Sequence, residues 1–183
     1  VSEMERRLDN TGDVEAVVGK TFQTQYLNQL RSDEVTRRDH AINLNAVSRI
    51  AQMSHPGLLP IYCVAPIADN YLFVTPRMGV TLLEAISKHK LTARQRTQLL
   101  MQALDALGHL HEHRILHRDF TLRNVLLDDR AAVAYLFDFD LALSLDDIHG
   151  GTYASHYRGR VFGSPGYSVP PETVDPGLAE LPV

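Results

Sequence analysis

The sequence predicts an α+β protein, with a small β-rich N-terminal part that contains one long helix and a C-terminal part that is mostly helical. Two observations lead to this prediction. Short strand-like runs between turn residues dominate the first third of the chain, and helical periodicity dominates the middle. At 183 residues, of which 44% are hydrophobic, the chain is long enough to bury a sizeable core.

The N-terminal part is predicted to begin with a β-hairpin. A turn cluster at 10–13 separates a short run ending at Leu8 from a valine-rich run at 14–22. A helix is then expected over 33–53, and the His55-Pro56-Gly57 sequence ends it because the residue before a proline disfavours helical geometry. Its apolar residues recur at three-, four- and seven-residue steps: Val35, Ile42, Ala46, Ile50 and Met53. Two more strands are expected near 58–64 and 71–75.

The C-terminal part is predicted to contain two helices followed by short strands. The sequences T-L-L-E at 81–84 and T-A-R-Q at 92–95 both have capping-box form. The second opens a long helix whose predicted apolar face holds Leu99, Leu100, Ala103, Leu104, Leu107 and Leu110. Short apolar runs follow at 115–116, 125–127 and 134–137, and the chain from 144 to 183 is expected to be loop-like.

Composition excludes several classes of function. A net charge of −4 gives the chain no general electrostatic attraction to nucleic acid or to anionic membranes. The single cysteine, Cys63, excludes an internal disulfide framework and predicts a reducing, cytoplasmic setting. No segment approaches the roughly 20 apolar residues that a membrane-spanning helix needs, so no span is predicted.

The strongest chemical signal is H-R-D-F-T-L-R-N at 117–124, followed by D-F-D at 138–140. These motifs place Asp119, Asn124 and Asp138 at the ends of short strands and loops. Amide and carboxylate oxygens such as those of Asn124 and Asp138 suit Mg²⁺, which binds a few protein oxygens together with nucleotide phosphates. The Asp119 carboxylate is then available to accept a hydroxyl proton. This set of groups predicts phosphoryl transfer, which depends mainly on positioning and charge neutralisation.

These motifs resemble the catalytic loop and the D-F-G motif of the eukaryotic-type (Hanks-type) protein kinase family, including its bacterial members, among which this chain is expected. The resemblance covers nearly the whole chain. Residues 54–62 and 71–79 look like the family's link from helix C to strand 4 and its strand 5 with the hinge, and 162–172 looks like the end of its activation segment. The resemblance implies a bilobal fold, ATP and Mg²⁺ as cofactors, and a protein substrate or regulatory protein partner.

The resemblance also implies a role for each matching residue. Asp119 is expected to be the catalytic aspartate, and Arg118 the arginine that pairs with a phosphorylated activation loop. Asn124 and Asp138 are expected to bind Mg²⁺. The nucleotide-binding residues of the hinge are expected to be the gatekeeper Thr75 and, through their backbones, Pro76 and Met78.

The phosphate-binding lysine has two possible registers. In V-V-G-K, Val18 and Lys20 point to the same face of a strand, which suits a valine against adenine and an ammonium on the phosphates. The alternative register counts from Thr11-Gly12, places Val18 at the lysine position and leaves no lysine there. The first register is favoured.

Three departures from the family pattern stand out. The helix-C glutamate that pairs with the lysine is expected at position 46, where this chain has alanine, and Asp39, Asn43 and Asn45 are imperfectly phased substitutes. Asp140 replaces the glycine of D-F-G. The glycine-rich loop and the later helices are not found, so 1–78 is expected to be a partial N-lobe and 79–183 a partial C-lobe that ends at the activation segment.

Three functions remain open at this point. The favoured one is an ATP·Mg²⁺-dependent protein kinase with Ser/Thr acceptors, although Thr121 and Arg123 leave the acceptor poorly determined. A pseudokinase that binds nucleotide or acts as a scaffold is the alternative that Ala46 and Asp140 favour. A small-molecule kinase of the aminoglycoside-phosphotransferase type has a similar loop, but Arg118 and the 162–172 segment favour a protein kinase.

Overall fold

The computed structural model describes residues 2–8, 13–68, 70–147 and 163–164. Strands β1 (Ser2–Leu8) and β2 (Asp13–Thr21) form the predicted antiparallel hairpin. Strands β3 (Cys63–Ile67) and β4 (Asn70–Pro76) complete a four-stranded antiparallel sheet in the order β1-β2-β4-β3. The central pair, β2 and β4, forms one wall of the cavity that holds the candidate site.

Two helices follow the hairpin. The predicted helix is observed as α2 (Glu34–Ile50), and it buries Ala46, Val47 and Ile50. A second helix, α1 (Thr24–Ser32), was not predicted. Its N-cap residue, Gln23, makes no side-chain cap hydrogen bond, so the sequence carries no capping signal at its start. Its nine residues hold only three apolar ones on one face, Tyr26, Leu27 and Leu30, which is too short a pattern to predict a helix.

The prediction of a strand at 58–64 is wrong, since β3 lies at Cys63–Ile67. Residues 57–59 instead run beside a later strand: the Leu59 N–H donates to the Leu136 carbonyl at 3.0 Å, and the Leu136 N–H donates to the Gly57 carbonyl at 2.8 Å. Leu58 and Leu59 are buried where the chain runs beside that strand. Periodicity alone cannot distinguish such a short buried apolar run from a strand.

Helices α3 (Leu82–Ser87) and α4 (Ala93–Glu112) begin with the two predicted capping boxes. The apolar face predicted for α4 is only partly correct. Leu99, Ala103 and Leu110 are buried, whereas Leu100 and Leu104 are 37% and 42% exposed. The buried residues recur at three- and four-residue steps from Leu99, and the neighbouring stripe from Leu100 is rotated by about 100°.

Four short strands complete the described fold: β5 (Ile115–Leu116), β6 (Val125–Leu127), β7 (Ala134–Leu136) and β8 (Leu143–Ser144). β5 pairs with β8, and β6 pairs with β7. β5, β6 and β7 lie at the apolar runs that the sequence indicated, whereas β8 was not predicted. One buried cluster joins α2 with α3, α4, β6 and β7. The 162–172 motif lies outside the described residues except for 163–164.

The observed architecture is the α+β arrangement that the sequence predicts, with the sheet first and the helical part second. Within the described residues, no helix combines the length and the apolar character that crossing a membrane requires.

Candidate active site

A cavity of about 240 Å³ lies between the β2–β4 sheet, α2 and the loop that follows β7. Most of its wall is apolar, and its charged groups gather at one end, where Lys20 meets two aspartates. It is lined by Val18, Lys20, Asn43, Val47, Leu59, Ile61, Phe73, Thr75, Pro76, Met78, Leu126, Phe137, Asp138, Phe139 and Asp140. An apolar cleft with a few convergent polar groups is the usual form of a small-molecule site.

Strand β2 brings both Val18 and Lys20 to this cavity, because residues two apart share one face of a strand. The Lys20 ammonium donates to Asp138 Oδ1 at 2.6 Å and to Asp140 Oδ2 at 2.7 Å. Val18 lies opposite Thr75 in the sheet register. The structure therefore places Lys20, and not Val18, against the carboxylates of D-F-D.

The other end of the cavity is formed by the end of β4 and the segment after it. Thr75, Pro76 and Met78 all line it, as the predicted hinge residues would. The Arg77 N–H donates back to the Ala16 carbonyl at 2.9 Å, and the Gly79 N–H donates to the Leu127 carbonyl at 3.0 Å. These two bonds hold residues 77–79 between the sheet and β6.

The loop after β5 is held by the buried imidazole of His117, which is 1% exposed. Its Nε2 lies 2.9 Å from the Phe137 carbonyl, and its Nδ1 lies 3.3 Å from the Asp119 N–H. A carbonyl only accepts and an N–H only donates, so the ring is neutral with its proton on Nε2. Burial lowers the pKa of His117, which agrees with this assignment.

Asp119 and Asn124 face each other within the same loop. The Asn124 amide donates to Asp119 Oδ2 at 2.8 Å and to the Asp119 carbonyl at 2.9 Å. The Ser164 N–H donates to Asp119 Oδ1 at 2.7 Å. The carboxylate is thereby fixed through both oxygens, each of which has a further lone pair.

Arg118 links this loop to the turn after Asp138. Its Nε donates to the Leu141 carbonyl at 2.6 Å. Both Arg118 and Asp138 have φ of 63°, in the left-handed region that non-glycine residues seldom occupy. Strained backbone of this kind persists where surrounding contacts enforce it, and it is frequent at functional sites.

The charges at the end of the cavity shift the pKa values of the groups there. Burial alone would lower the pKa of Lys20, but the attraction of Asp140 and Asp138 outweighs it, and the pKa is raised. Burial raises the pKa of Asp140, and repulsion from Asp138 adds to this while Lys20 opposes it. With both carboxylates ionised, the three groups carry a net charge of −1, which favours a further cation.

The chemistry of Asn124 and Asp138 fits a magnesium ion. The Asn124 amide nitrogen is committed to Asp119, so the amide oxygen is the atom that can meet a cation. Asp138 binds Lys20 through Oδ1 and has a second carboxylate oxygen. Mg²⁺ takes only one or two protein carboxylates when phosphates complete its shell, so two such residues are sufficient.

Sequence reasoning did not identify the hydrogen bonds that Asn43 and Arg49 of α2 make to D-F-D and the segment after it. Asn43, 7% exposed, donates from Nδ2 to the carbonyls of Phe139 and Ala142, at 2.9 and 3.0 Å. Arg49 binds the Ser144 hydroxyl and Asp146, the latter at 2.8 Å. Position 46, where a glutamate was expected, is a fully buried core alanine. Each contact joins residues almost 100 positions apart, which no local motif signals.

A small antiparallel sheet followed by a mostly helical part is the α+β arrangement of a protein-kinase-like fold. Comparison with known families agrees: residues 10–179 match the protein kinase domain. The chain therefore belongs to the protein kinase domain family.

Individual relatives share about a quarter to a third of their aligned residues with this chain. It is 26% identical over 125 residues to the carbon catabolite-derepressing protein kinase of Candida glabrata, covering 68% of the chain and 19% of that protein. It is 28% identical over 158 residues to the protein kinase domain-containing protein ppk9 of Schizosaccharomyces pombe, covering 84% and 28%. It is 31% identical over 134 residues to the serine/threonine-protein kinase dkf-1 of Caenorhabditis elegans, covering 70% and 18%. The chain thus spans less than a third of the length of each of these relatives.

Proposed function

We propose that this protein is a protein kinase that transfers a phosphoryl group from ATP, bound with Mg²⁺, to a hydroxyl group of a protein. The observation that carries the proposal is the convergence of Lys20 and Asp138 at one end of an apolar cavity, 2.6 Å apart. Asp119 and Asn124 form a second pair on the catalytic loop, 2.8 Å apart. The proposal assigns 1–78 to the N-lobe and 79–183 to the C-lobe, with the cavity between them.

The apolar part of the cavity suits the adenine ring. Val18 lies on the sheet side, and Thr75, Pro76 and Met78 lie at the hinge end, where proline leaves the carbonyl available but removes an N–H. Lys20 then faces the phosphates. Asn124 and Asp138 would hold Mg²⁺, which when bound neutralises charge on the phosphates.

Asp119 is assigned to the acceptor hydroxyl. Its carboxylate is held in place by Asn124 and by the Ser164 N–H, and it orients the hydroxyl and accepts its proton. Arg118 is assigned to a phosphorylated activation loop. The Arg118 Nε donates to the carbonyl of Leu141, three residues after Asp138, where the activation loop is expected to begin.

Serine or threonine acceptors are favoured by the relatives, such as the probable serine/threonine-protein kinase mkcD of Dictyostelium discoideum. Thr121, which stands where those enzymes usually carry a lysine, is buried and accepts the Arg123 N–H within the loop. A cytoplasmic location is part of the proposal and follows from the single cysteine.

A pseudokinase is the second candidate, and a specific observation favours it. Lys20 already binds two carboxylates, while the helix position that pairs with it elsewhere in the family is Ala46. If efficient transfer requires the lysine–glutamate pair, a protein with this arrangement would bind nucleotide without efficient transfer.

The test compares transfer from radiolabelled ATP by the wild-type protein and by an Asp119→Asn variant. We expect Asp119→Asn to reduce the transfer rate by about 10²–10⁴-fold, which is typical of losing a general base, with little change in ATP affinity. Asp129→Asn, the same chemical change on an exposed residue outside the cavity, is the matched control and should retain full activity.

Two results would count against the kinase proposal. Transfer that survives Asp119→Asn would remove Asp119 from the reaction. Calorimetric binding of Mg·ATP by the wild type, with no transfer to any of several protein acceptors, would favour the pseudokinase.

A further inference from the structure

We infer that Asp140 positions Lys20, and so performs the task that a helix carboxylate performs elsewhere in the family; this inference rests on the proposed function. The lysine must be held so that its ammonium faces the nucleotide phosphates. Here the second aspartate of D-F-D, rather than a residue of α2, supplies the carboxylate that holds it.

The contact of Lys20 with Asp140 is as close as its contact with Asp138. The two N–O distances are 2.7 and 2.6 Å. Asp138 is also the proposed magnesium ligand, so its oxygens must serve two cations once Mg·ATP is bound. Asp140 has no such second task, and its carboxylate can keep the ammonium in place throughout.

Helix α2 has no carboxylate to offer at position 46. Ala46 is fully buried and forms part of the hydrophobic core with Val47 and Ile50. A longer acidic side chain at 46 would have to leave a packed, apolar environment to reach the lysine, and burying a carboxylate there is unfavourable. Position 46 therefore supplies no carboxylate to Lys20, and the observed contact comes from Asp140 in the segment after β7.

The same helix fixes the turn on which Asp140 sits. Asn43 donates to the carbonyls of Phe139 and Ala142, the residues that flank Asp140 and Leu141 in the 3₁₀ turn Phe139–Leu141. Helix α2 thus helps to position Lys20 indirectly. It makes two hydrogen bonds to the backbone of the segment that carries Asp140, instead of an ion pair with the lysine. This also accounts for an aspartate where the family has glycine, since glycine provides no carboxylate.

A double-mutant cycle in the nucleotide-free protein tests the pairing. Wild type, Lys20→Met, Asp140→Asn and the double variant are unfolded with urea. If the pair interacts, we expect the double variant's unfolding equilibrium constant to differ at least threefold from the product of the single effects. The control cycle pairs Lys20→Met with Asp129→Asn, whose effects should be independent. Independent effects in the Lys20–Asp140 cycle would overturn the inference.

The kinetic arm tests positioning. Asp140→Asn and Asp140→Gly should lower kcat at least tenfold and change the KM for ATP less than threefold, because the loss concerns the orientation of the lysine during transfer. In a Lys20→Met background, Asp140→Asn should cause no further loss. A kcat that is unchanged or higher in both Asp140 variants would overturn the positioning role. Asp140→Glu, which keeps the charge, should retain more activity than Asp140→Asn.

The two arms separate this inference from the proposed function. If the wild-type protein neither binds nor uses Mg·ATP, the proposed function fails, and the urea cycle still decides whether Asp140 holds Lys20. If the wild type is active and the cycle shows no coupling, the inference fails and the proposed function stands.

Discussion

At the scale of single residues, His117 shows how one buried side chain connects two parts of the site. It accepts from the Asp119 N–H on its own loop and donates to the Phe137 carbonyl just before Asp138. Its ring also packs edge-on against Phe139, with centroids 5.5 Å apart. Accepting from the Asp119 N–H requires an unprotonated Nδ1, so protonation would remove this acceptor and place a charge in a buried position, although Nε2 could still donate.

The first prediction at this scale concerns pH. Burial lowers the pKa of folded His117, and this outweighs the attraction of Asp138 and Asp119, while the unfolded chain has the ordinary value of about 6.5. The unfolded state therefore binds the proton more readily. The contribution of His117 to the free energy of unfolding is thus fully present above a pH of about 6.5. It falls as the pH decreases from there toward the lower folded pKa, by up to about 1.4 kcal/mol per pH unit.

Urea unfolding at several pH values between 7.5 and 5 checks this slope. His117→Gln should unfold with a shallower pH dependence than the wild type, whereas the exposed His111→Gln should keep the wild-type slope. Some slope will remain in His117→Gln, because burial also lowers the pKa values of His40 and His109. Equal slopes in wild type and His117→Gln would show that another group causes the acid sensitivity.

The residues of the site differ in how far they can be predicted from sequence. Asp119, Asn124 and Asp138 stand within two short motifs, and the structure brings them to the same region of the fold. The pairing of Lys20 with Asp140 joins residues 120 positions apart. Sequence reasoning offered two registers for the lysine and favoured Lys20, but it did not predict Asp140 as a partner. Residues that belong to a short contiguous motif can be recognised from sequence, whereas the partner of a residue such as Lys20 depends on the tertiary fold.

At the scale of elements, the helix starts are the best-predicted features. In α4, the Gln95 N–H donates to Thr92 Oγ1 at 3.3 Å, and the Thr92 N–H donates to Gln95 Oε1 at 2.9 Å. This reciprocal arrangement uses four consecutive residues, so the sequence alone is enough to find it. By contrast, α1 lacks such a cap and was not predicted. Leu58 and Leu59 are buried beside a distant strand, so a strand was wrongly predicted to begin there.

The prediction for the elements uses two threonines of α4. Thr92→Ala should lower the free energy of unfolding by about 1 kcal/mol, because it removes the acceptor for an N–H at the helix start. Thr97→Ala is the matched control. Thr97 lies inside the helix and donates to the Ala93 carbonyl, and alanine is the better helix former there.

Urea or thermal unfolding of the two variants measures the difference. Thr97→Ala is expected to change stability by less than about 0.5 kcal/mol, as surface substitutions usually do. A loss in Thr97→Ala as large as that in Thr92→Ala would show that the capping box makes no special contribution to α4.

At the scale of the whole molecule, α2 joins the sheet to the C-terminal part. Its buried side packs into the common core, and its polar side reaches the segment after D-F-D. Arg49 is central to that link: it binds the Ser144 hydroxyl, Asp146 at 2.8 Å and the His113 carbonyl at 3.0 Å. Arg114 binds the other oxygen of Asp146 at 2.6 Å, and these two arginines lower the pKa of Asp146.

This link leads to the last prediction, that Arg49→Met destabilises the protein although methionine can keep much of the packing of the arginine stem. The hydrogen bonds to Ser144 and to the His113 carbonyl connect a charged donor to neutral acceptors, and Ser144 is fully buried. Their loss should lower the free energy of unfolding by about 1.5–3 kcal/mol. Lys88→Met is the matched control, because Lys88 makes one exposed ion pair within α3, at 3.8 Å from Glu84, and such pairs contribute little.

Hydrogen exchange shows where the effect occurs. The Leu145 N–H, which donates to the Arg114 carbonyl at 2.8 Å, should exchange faster in Arg49→Met, as should the paired β5 and β8 strands. Amides of the β1–β2 hairpin should be less affected, because the partners of Arg49, which are Ser144, Asp146 and the His113 carbonyl, all lie outside that hairpin. If Arg49→Met and Lys88→Met are equally stable, and exchange at Leu145 is unchanged, then the contacts of Arg49 do not couple α2 to the C-terminal part.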